Sequence, residues 1–295
     1  MDLIGCRCGT TLGDENGAMN MINVDLERVA AIMRRVATAE AMPRWRHLGA
    51  GDIVEKNGPD DLVTVADRAM EVALSRELEQ LLPGSCVVGE EGVAAEPKVL
   101  DLFEQDAPIW VIDPIDGTSA FAKGDPEFAV MVALVQAQQP VAGWILAPVT
   151  GDLVCGQRGE GVWHAPREGV ALERVPRPAR VPSLAQMHGI TGRRLMTLER
   201  QARITAAAGR FASIAPAICA GIEYPKIARG AAHFALYNKS EPWDHLPGLA
   251  LAIEQGLYFA KHDGTPYRPG DNTGGLLVAP DRKSWDEIRA LLLDD

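Results

Sequence analysis

The sequence predicts a protein of two halves that mix helices and strands, the first of α+β type and the second of α/β type. Three observations lead there: two amphipathic helical stretches flank the first short β-type segments, a run of β-type segments joined by turns fills the middle, and short apolar segments alternate with helical ones towards the end. With 295 residues, 47% of them hydrophobic, the chain can bury one large core or two closely joined domains.

Taken in order, residues 24 to 41 place Leu26, Val29, Met33 and Val36 on one helical face, and Pro43 follows the end. The stretch DLVTVADRAMEVALSRELEQLLPG begins as a short strand or turn. It continues as a helix with an apolar face of Met70, Ala73, Leu74, Leu78 and Leu81, stopped by Pro83-Gly84. SCVVGEEG and APIWVIDP are short apolar runs ending in acids, as strands do when their C-terminal ends open into a site. FAVMVALVQAQQPVAGWILAPVTGDLVCGQRGEGVW reads as three antiparallel strands with turns at Gln139-Pro140 and Thr150-Gly151-Asp152. The glycines of GQRGEGVW sit between strands and lack the strand-to-helix context of a dinucleotide loop, so they read as a hairpin turn. Prolines and charges at 165–180 mark a boundary between one half at 22–165 and another at 166–295. In the second half, apolar segments near 184–188, 211–214 and 275–278 alternate with helices beginning near Ile218, Trp243 and Trp285.

Composition narrows the function classes. Forty acidic against 29 basic residues leave a formal charge of -11, without the basic stripe that a nucleic-acid backbone requires. No apolar run approaches the roughly 18 residues of a membrane span, and the first 22 residues contain no apolar signal region, so a cytoplasmic protein is expected. Cys6, Cys8, Cys86, Cys155 and Cys219 lack zinc-ligand spacing and are expected to be reduced thiols. Residues 1–21 read as a loose terminus, Cys6-x-Cys8 as incidental to it, and Met19 and Met21 as alternative starts.

The chemistry is concentrated in WVIDPIDGTSAF. Pro114 holds Asp113 extended, so Asp113 should end the strand and Asp116 should sit in the following turn, with Gly117 and Thr118 opening a helix. Two carboxylates beside free backbone amides suit a hard divalent cation and a phosphate. The pair taken alone fits a turn and a helix cap equally well. Further acids stand at element ends, and each also has an ordinary reading: Asp67 as a helix-dipole partner, Glu90-Glu91 as a solvated loop, Asp244 as a cap. His233 and His245 read as packing or surface residues, since carboxylates suit magnesium better than imidazole.

Four motifs in order, KNGPDDLVTVAD, GEEG, WVIDPIDGTSAF and PWDHLPG, resemble those of the inositol monophosphatase family of magnesium-dependent, lithium-sensitive phosphatases. The resemblance runs from about residue 22 to the C-terminus. It implies a layered α-β-α-β-α sandwich of the inositol monophosphatase and fructose-1,6-bisphosphatase type. It also implies a homodimer that hydrolyses a small phosphorylated metabolite, with inositol 1-phosphate as the default substrate. By the same resemblance, Glu90, Asp113, the carbonyl of Ile115, Asp116 and Asp244 would hold two or three Mg²⁺ ions. Asp67, Thr118 and Glu90 would be catalytic, with Asp67 and Thr118 deprotonating the attacking water. The amides of Gly117 and Thr118 would hold the phosphate.

Departures from the family pattern gather on the substrate side. Tyr237 stands where an acid commonly contacts sugar hydroxyls, Ile218-Cys219-Ala220 replaces a Gly-Ser/Thr-Ala segment, and Gly256-Leu257 replaces a double glycine. Cys219, Ala220 and Tyr237 are therefore the expected substrate wall. Tyr237 would offer a flat apolar face and one hydroxyl. A 3'(2'),5'-bisphosphate nucleotidase, or a sugar or amino-alcohol phosphatase, is the alternative within the family. Outside it stand a phosphatase that forms a phosphoaspartate at Asp116 and a member that binds metal without catalysis.

Overall fold

The computed structural model describes residues 22–49, 51–58, 61–181, 183–192 and 196–293; the readings made for residues 1–21 lie outside them. Helix α1 (Leu26–Val36) is capped by the Asp25 carboxylate, which accepts from the amides of Glu27 and Arg28, and it runs on into a π-turn at Ala37–Ala41. Strands β1 (Ile53–Gly58) and β2 (Asp61–Thr64) form a small antiparallel ribbon that leads into α2 (Val65–Leu81).

A seven-stranded sheet follows, made of β3 (Cys86–Gly89), β4 (Ile109–Asp116), β5 (Ala129–Gln136), β6 (Gln139–Ala147), β7 (Asp152–Gln157), β8 (Gly161–Ala165) and β9 (Glu173–Val175), neighbouring in that order. β3 pairs with β4 in parallel, and every later pair is antiparallel. Two short helices sit among these strands, α3 (Glu90–Ala95) and α4 (Thr118–Lys123). The middle of the chain thus contains four strands rather than three. The turn expected at Gln139-Pro140 lies at Ala137-Gln138, both with positive φ (50° and 57°), because a two-residue hairpin needs left-handed residues there and Pro140 cannot supply one. β9 falls within the stretch read as a boundary.

The second sheet has the order β11-β10-β12-β14-β13, from β10 (His188–Thr191), β11 (Ser213–Pro216), β12 (Phe234–Tyr237), β13 (Tyr258–Lys261) and β14 (Leu276–Ala279). Its helices are α5 (Leu198–Ala207), α6 (Ala220–Ala228), α7 (Pro242–Glu254) and α8 (Arg282–Leu292). Of these elements, α5, β12 and β13 were not expected, since their apolar runs are too short to show a period.

Burial assigns the layers. Along β5, Val130, Val132 and Leu134 face a core shared with α1 and α2, while Ala129 and Met131 face a second core shared with α6 and α7. A sheet covered on both faces explains the unbroken apolar run AVMVALV. In the second sheet, Ala235, Tyr237, Leu276 and Val278 join that second core, while Phe234, Leu236, Leu277 and Ala279 face α5 and α8. The order is α1/α2, seven-stranded sheet, α6/α7, five-stranded sheet, α5/α8, the α-β-α-β-α sandwich expected. Within the middle layer α6 and α7 pack closely, since a Cβ on Gly248 of α7 would meet the Tyr224 ring of α6 at 2.0 Å, and the layer lies close on the first sheet, where a Cβ on Gly143 of β6 would meet the Pro247 carbonyl oxygen at 2.2 Å. That contact carries α7, from the C-terminal half, onto the sheet of the N-terminal half.

Cys155 and Cys219 are free thiols, as expected. Cys86 at the start of β3 is disulfide-bonded, which corrects the reading for that residue; sulfurs are brought together by tertiary approach, which spacing does not reveal. Among the described residues no helix is long and apolar enough to cross a membrane.

Candidate metal centre and catalytic cleft

The local fold answers why two aspartates stand three residues apart. In a regular strand such residues point to opposite faces. β4, however, pairs Asp113 with Met131 and Asp116 with Ala129, so three residues of β4 span two of β5. This bulge restores the parity, and both carboxylates turn toward the α6/α7 layer, as their partners Met131 and Ala129 do, while Ile112 and Ile115 stay in the opposite core. β4 therefore runs to Asp116, and the turn expected at that residue begins at Gly117. Gly117 has φ 91°, and a Cβ there would lie 3.1 Å from the Glu127 carbonyl oxygen and 3.2 Å from Cys219 Sγ, so only glycine fits between strand and helix.

Other elements deliver the remaining acids to this edge. Parallel pairing of β3 with β4 puts Gly89 opposite Ile112, so Glu90 follows at the same sheet edge. Glu90 and Glu91 open helix α3 and are not the solvated loop read from the sequence; Glu71 of α2 holds this helix start, its carboxylate accepting from the amides of Glu91 and Gly92, both at 2.8 Å. Asp244 stands at the third position of α7, in its first turn, while the N-cap residue is Glu241. One carboxylate oxygen from each of Asp113, Asp116 and Asp244 lies within 4.8 Å of the others. Asp116 Oδ2 accepts from the Gly221 amide at 2.5 Å, which ties α6 to the cluster.

Electrostatics make this arrangement costly without a cation. Burial and then the charges of Glu90, Asp116, Asp244 and Asp67 hold the Asp113 carboxyl well above its usual range. Asp244 is raised in the same way, first by burial and then by Asp116 and Glu90. Burial pushes Asp116 up to about 6 against the lowering effect of the Gly221 amide. Asp113 is 1% exposed, and its Oδ1 has no hydrogen-bond partner. A cluster of hard oxygen donors with an unpaired buried carboxylate oxygen fits a hard divalent ion such as Mg²⁺.

A pH signature follows. Between 3.8, the unfolded value, and about 6 the native Asp116 holds more protons than the unfolded chain, so its contribution to stability falls as pH rises through that window. Asp113 and Asp244 shift in the same direction, while His245 and His262, both held down to about 4, oppose them. The histidines are common to metal-free and loaded protein, so the increment due to the ion isolates the carboxylates. Saturating Mg²⁺ should raise the melting temperature by about 5 °C or more at pH 7.5, and by less than half as much at pH 5, where protons compete for the same oxygens. Scanning fluorimetry with and without Mg²⁺ checks this, and an absent increment at pH 7.5 would count against a cation site.

Beside the cluster, Asp67 occupies the third position of α2, where its Oδ2 accepts from the Thr64 amide at 2.8 Å in a capping box. Its Oδ1 faces the Thr118 hydroxyl at 3.2 Å, and that hydroxyl lies 3.0 Å from the Ile115 carbonyl oxygen. Burial raises Asp67 to about 6, opposed by the Thr64 bonds.

Glu90, Asp113, Ile115, Asp116, Thr118 and Asp244 line one cleft of about 300 Å³, together with Gly117, Cys219, Ala220 and Tyr237, and Asp67 stands behind Thr118 outside that lining. Cys219 is no nucleophile candidate, because burial and then the Asp116 charge hold its thiol well above the ordinary range. Tyr237 stacks on Tyr224 with centroids 5.5 Å apart and meets His245 edge-on at 4.8 Å, which leaves it 8% exposed. Little of the flat face expected of it is open. His245 packs, as expected: Nδ1 lies 3.0 Å from the Tyr224 hydroxyl and Nε2 3.0 Å from the Lys239 carbonyl oxygen. Three residues that shape the cleft were not singled out in the sequence: Glu71, Gly221 and Glu223. Glu223 alone carried a signal, being an acid inside the otherwise apolar stretch ICAGIEYP.

The model of the inositol monophosphatase family matches residues 20–293. The chain is 31% identical over 293 residues to an inositol-1-monophosphatase of Mycobacterium leprae, covering 93% of this chain and 96% of that one. A fructose-1,6-bisphosphatase/inositol-1-monophosphatase of Thermotoga maritima is 26% identical over 71% of this chain and 75% of its own. In fold, the chain superposes on a Thermotoga maritima IMPase with TM-score 0.74 and 24% identity, covering 90% of this chain and 96% of that one. It superposes on an IMPase/NADP phosphatase, complexed with Mg²⁺ and phosphate, with TM-score 0.77 and 16% identity, covering 91% and 95%.

Proposed function

Because the chain belongs to the inositol monophosphatase family, a family of phosphoric monoester hydrolases, we propose that this cleft hydrolyses a small phosphomonoester with magnesium held by Glu90, Asp113, the Ile115 carbonyl, Asp116 and Asp244. The observation that carries the reading is the meeting of three carboxylates within 4.8 Å, with Asp113 Oδ1 buried and unpaired. Bound magnesium supplies charge neutralisation at phosphorus and makes water a better nucleophile at neutral pH.

The protein's own groups divide the remaining work. Asp67 Oδ1 takes the proton of the attacking water by way of the Thr118 hydroxyl, 3.2 Å away. Asp67 is pinned for this by its capping bonds to Thr64, so the acceptor oxygen does not have to be ordered during the reaction. Gly117 and Thr118 present the start of α4 to the phosphate. The wall of Cys219, Ala220 and Tyr237 meets the alcohol half, with inositol 1-phosphate the default substrate of the reading.

Turnover in ¹⁸O-water, stopped with acid, tests the route. One ¹⁸O is expected in the released phosphate and no phosphorylated protein. A phosphoenzyme trapped at Asp116 would establish the covalent rival instead. Measured beside it, phosphate release from a panel of monoesters with Mg²⁺ tests the activity itself, and no release from any member would overturn the reading.

A further inference from the structure

Glu223 on α6 is 1% exposed, yet it is among the residues that line the cleft. Its Oε1 accepts from the Ile218 amide at 2.6 Å and the Cys219 amide at 3.2 Å, which fixes the carboxyl against the helix start. Its Oε2 is buried without a hydrogen-bond partner, and so is the hydroxyl of Tyr237. Both residues line the same cleft. Burial pushes the Glu223 carboxyl up to about 8, opposed first by the Ile218 amide, so near neutral pH it is a donor or cation brought to Oε2 that holds the group ionised. A buried polar atom without a partner is costly, and native chains keep few of them. Two on one wall of a substrate cleft mark the place where a ligand supplies the bonds.

Position 237 holds tyrosine where the family pattern has an acid that meets substrate hydroxyls. We infer that Glu223 supplies that acid from α6, its Oε2 accepting a hydrogen bond from a hydroxyl or ammonium group on the alcohol half of the substrate. The inference rests on the phosphatase reading and gives it a substrate class: phosphomonoesters whose leaving group carries a hydrogen-bond donor. An aryl phosphate carries none.

Glu223→Gln tests this with little change of shape, since the amide oxygen can still accept from Ile218 and Cys219 while an NH₂ group replaces Oε2. The kcat/KM of parent and variant is measured for inositol 1-phosphate, phosphoethanolamine and phenyl phosphate. The parent's preference for at least one donor-bearing substrate over phenyl phosphate should fall about tenfold or more in the variant. Which of the two loses preference separates a hydroxyl partner from an ammonium one. Both preferences unchanged within about twofold would overturn the inference, even if all three rates dropped together, because a uniform loss is what a packing role produces. Should Glu223→Gln fail to fold, Tyr237→Phe removes the other unpaired group of the same cleft, the hydroxyl, alone. A several-fold fall in the same preference supports the inference and an unchanged preference rejects it. A parent inactive on all three substrates would instead remove the phosphatase reading beneath it.

Discussion

Asp113→Asn should lower magnesium-dependent phosphate release at least about a thousandfold, the scale on which a preorganised charged group at a reaction centre acts. Asp113 is 1% exposed at the β4 bulge, and its carboxylate stands among Glu90, Asp116, Asp244 and Asp67. Asparagine preserves the shape and removes the charge. The same substitution should stabilise the metal-free protein at pH 7.5, because a buried like charge disappears from a crowded cluster. The increment that Mg²⁺ adds should shrink. Phosphate release, calorimetric Mg²⁺ titration and thermal melting together separate a lost ion from a lost fold. Activity within a few-fold of the parent would sink the assignment of Asp113 as a metal ligand.

The second large effect is expected at Asp67→Asn, a loss of about 10²- to 10⁴-fold in kcat, the range of a positioned general base. Asp67 is not among the proposed ligands, its Oδ2 being held by the Thr64 amide and its Oδ1 facing the Thr118 hydroxyl, so Mg²⁺ affinity should change by no more than a few-fold. The sign of the pH dependence follows from the carboxylate having to be ionised to accept a proton. Activity of the parent should fall as pH drops through a value at or below about 6, where burial places the group before nearby cations lower it. At Mg²⁺ concentrations that keep the site saturated across the pH range, that acid limb should be missing from the asparagine variant. The side-chain amide oxygen of the variant can still accept from the Thr64 amide, so α2 keeps its cap and the melting temperature should change little. A variant that loses Mg²⁺ affinity and rate in proportion would place Asp67 among the ligands instead.

Much of the fold is legible along the chain because its causes are local. Apolar spacing at Leu26, Val29, Met33 and Val36 marks α1, and the unbroken run through β5 marks a strand covered on both faces. The acids themselves are legible too, since WVIDPIDG, GEEG and PWDH place them where strands end or helices start. Less visible are α5, β12 and β13, where a few apolar residues carry no period of their own and pairing with neighbours decides the conformation. Pairing register also escaped the sequence. Asp113 and Asp116 point the same way only because β5 offers two residues against three, a relation between two strands that neither records alone.

The sequence by itself determined which residue types are present and where each element can begin: a proline that holds Asp113 extended, a glycine at 117 that accepts φ 91°, and acids set at element ends. Backbone conformation and hydrophobic period act over a few residues, so they can be read there. Only the tertiary structure decided that Gly221 donates to Asp116 across 105 positions, that Glu71 holds the start of the helix bearing Glu90, and that Glu223 reaches the cleft with one oxygen unpaired. Those outcomes depend on the α6/α7 layer settling between the two sheets, and burial there decides which polar groups keep a partner and which are left for a ligand.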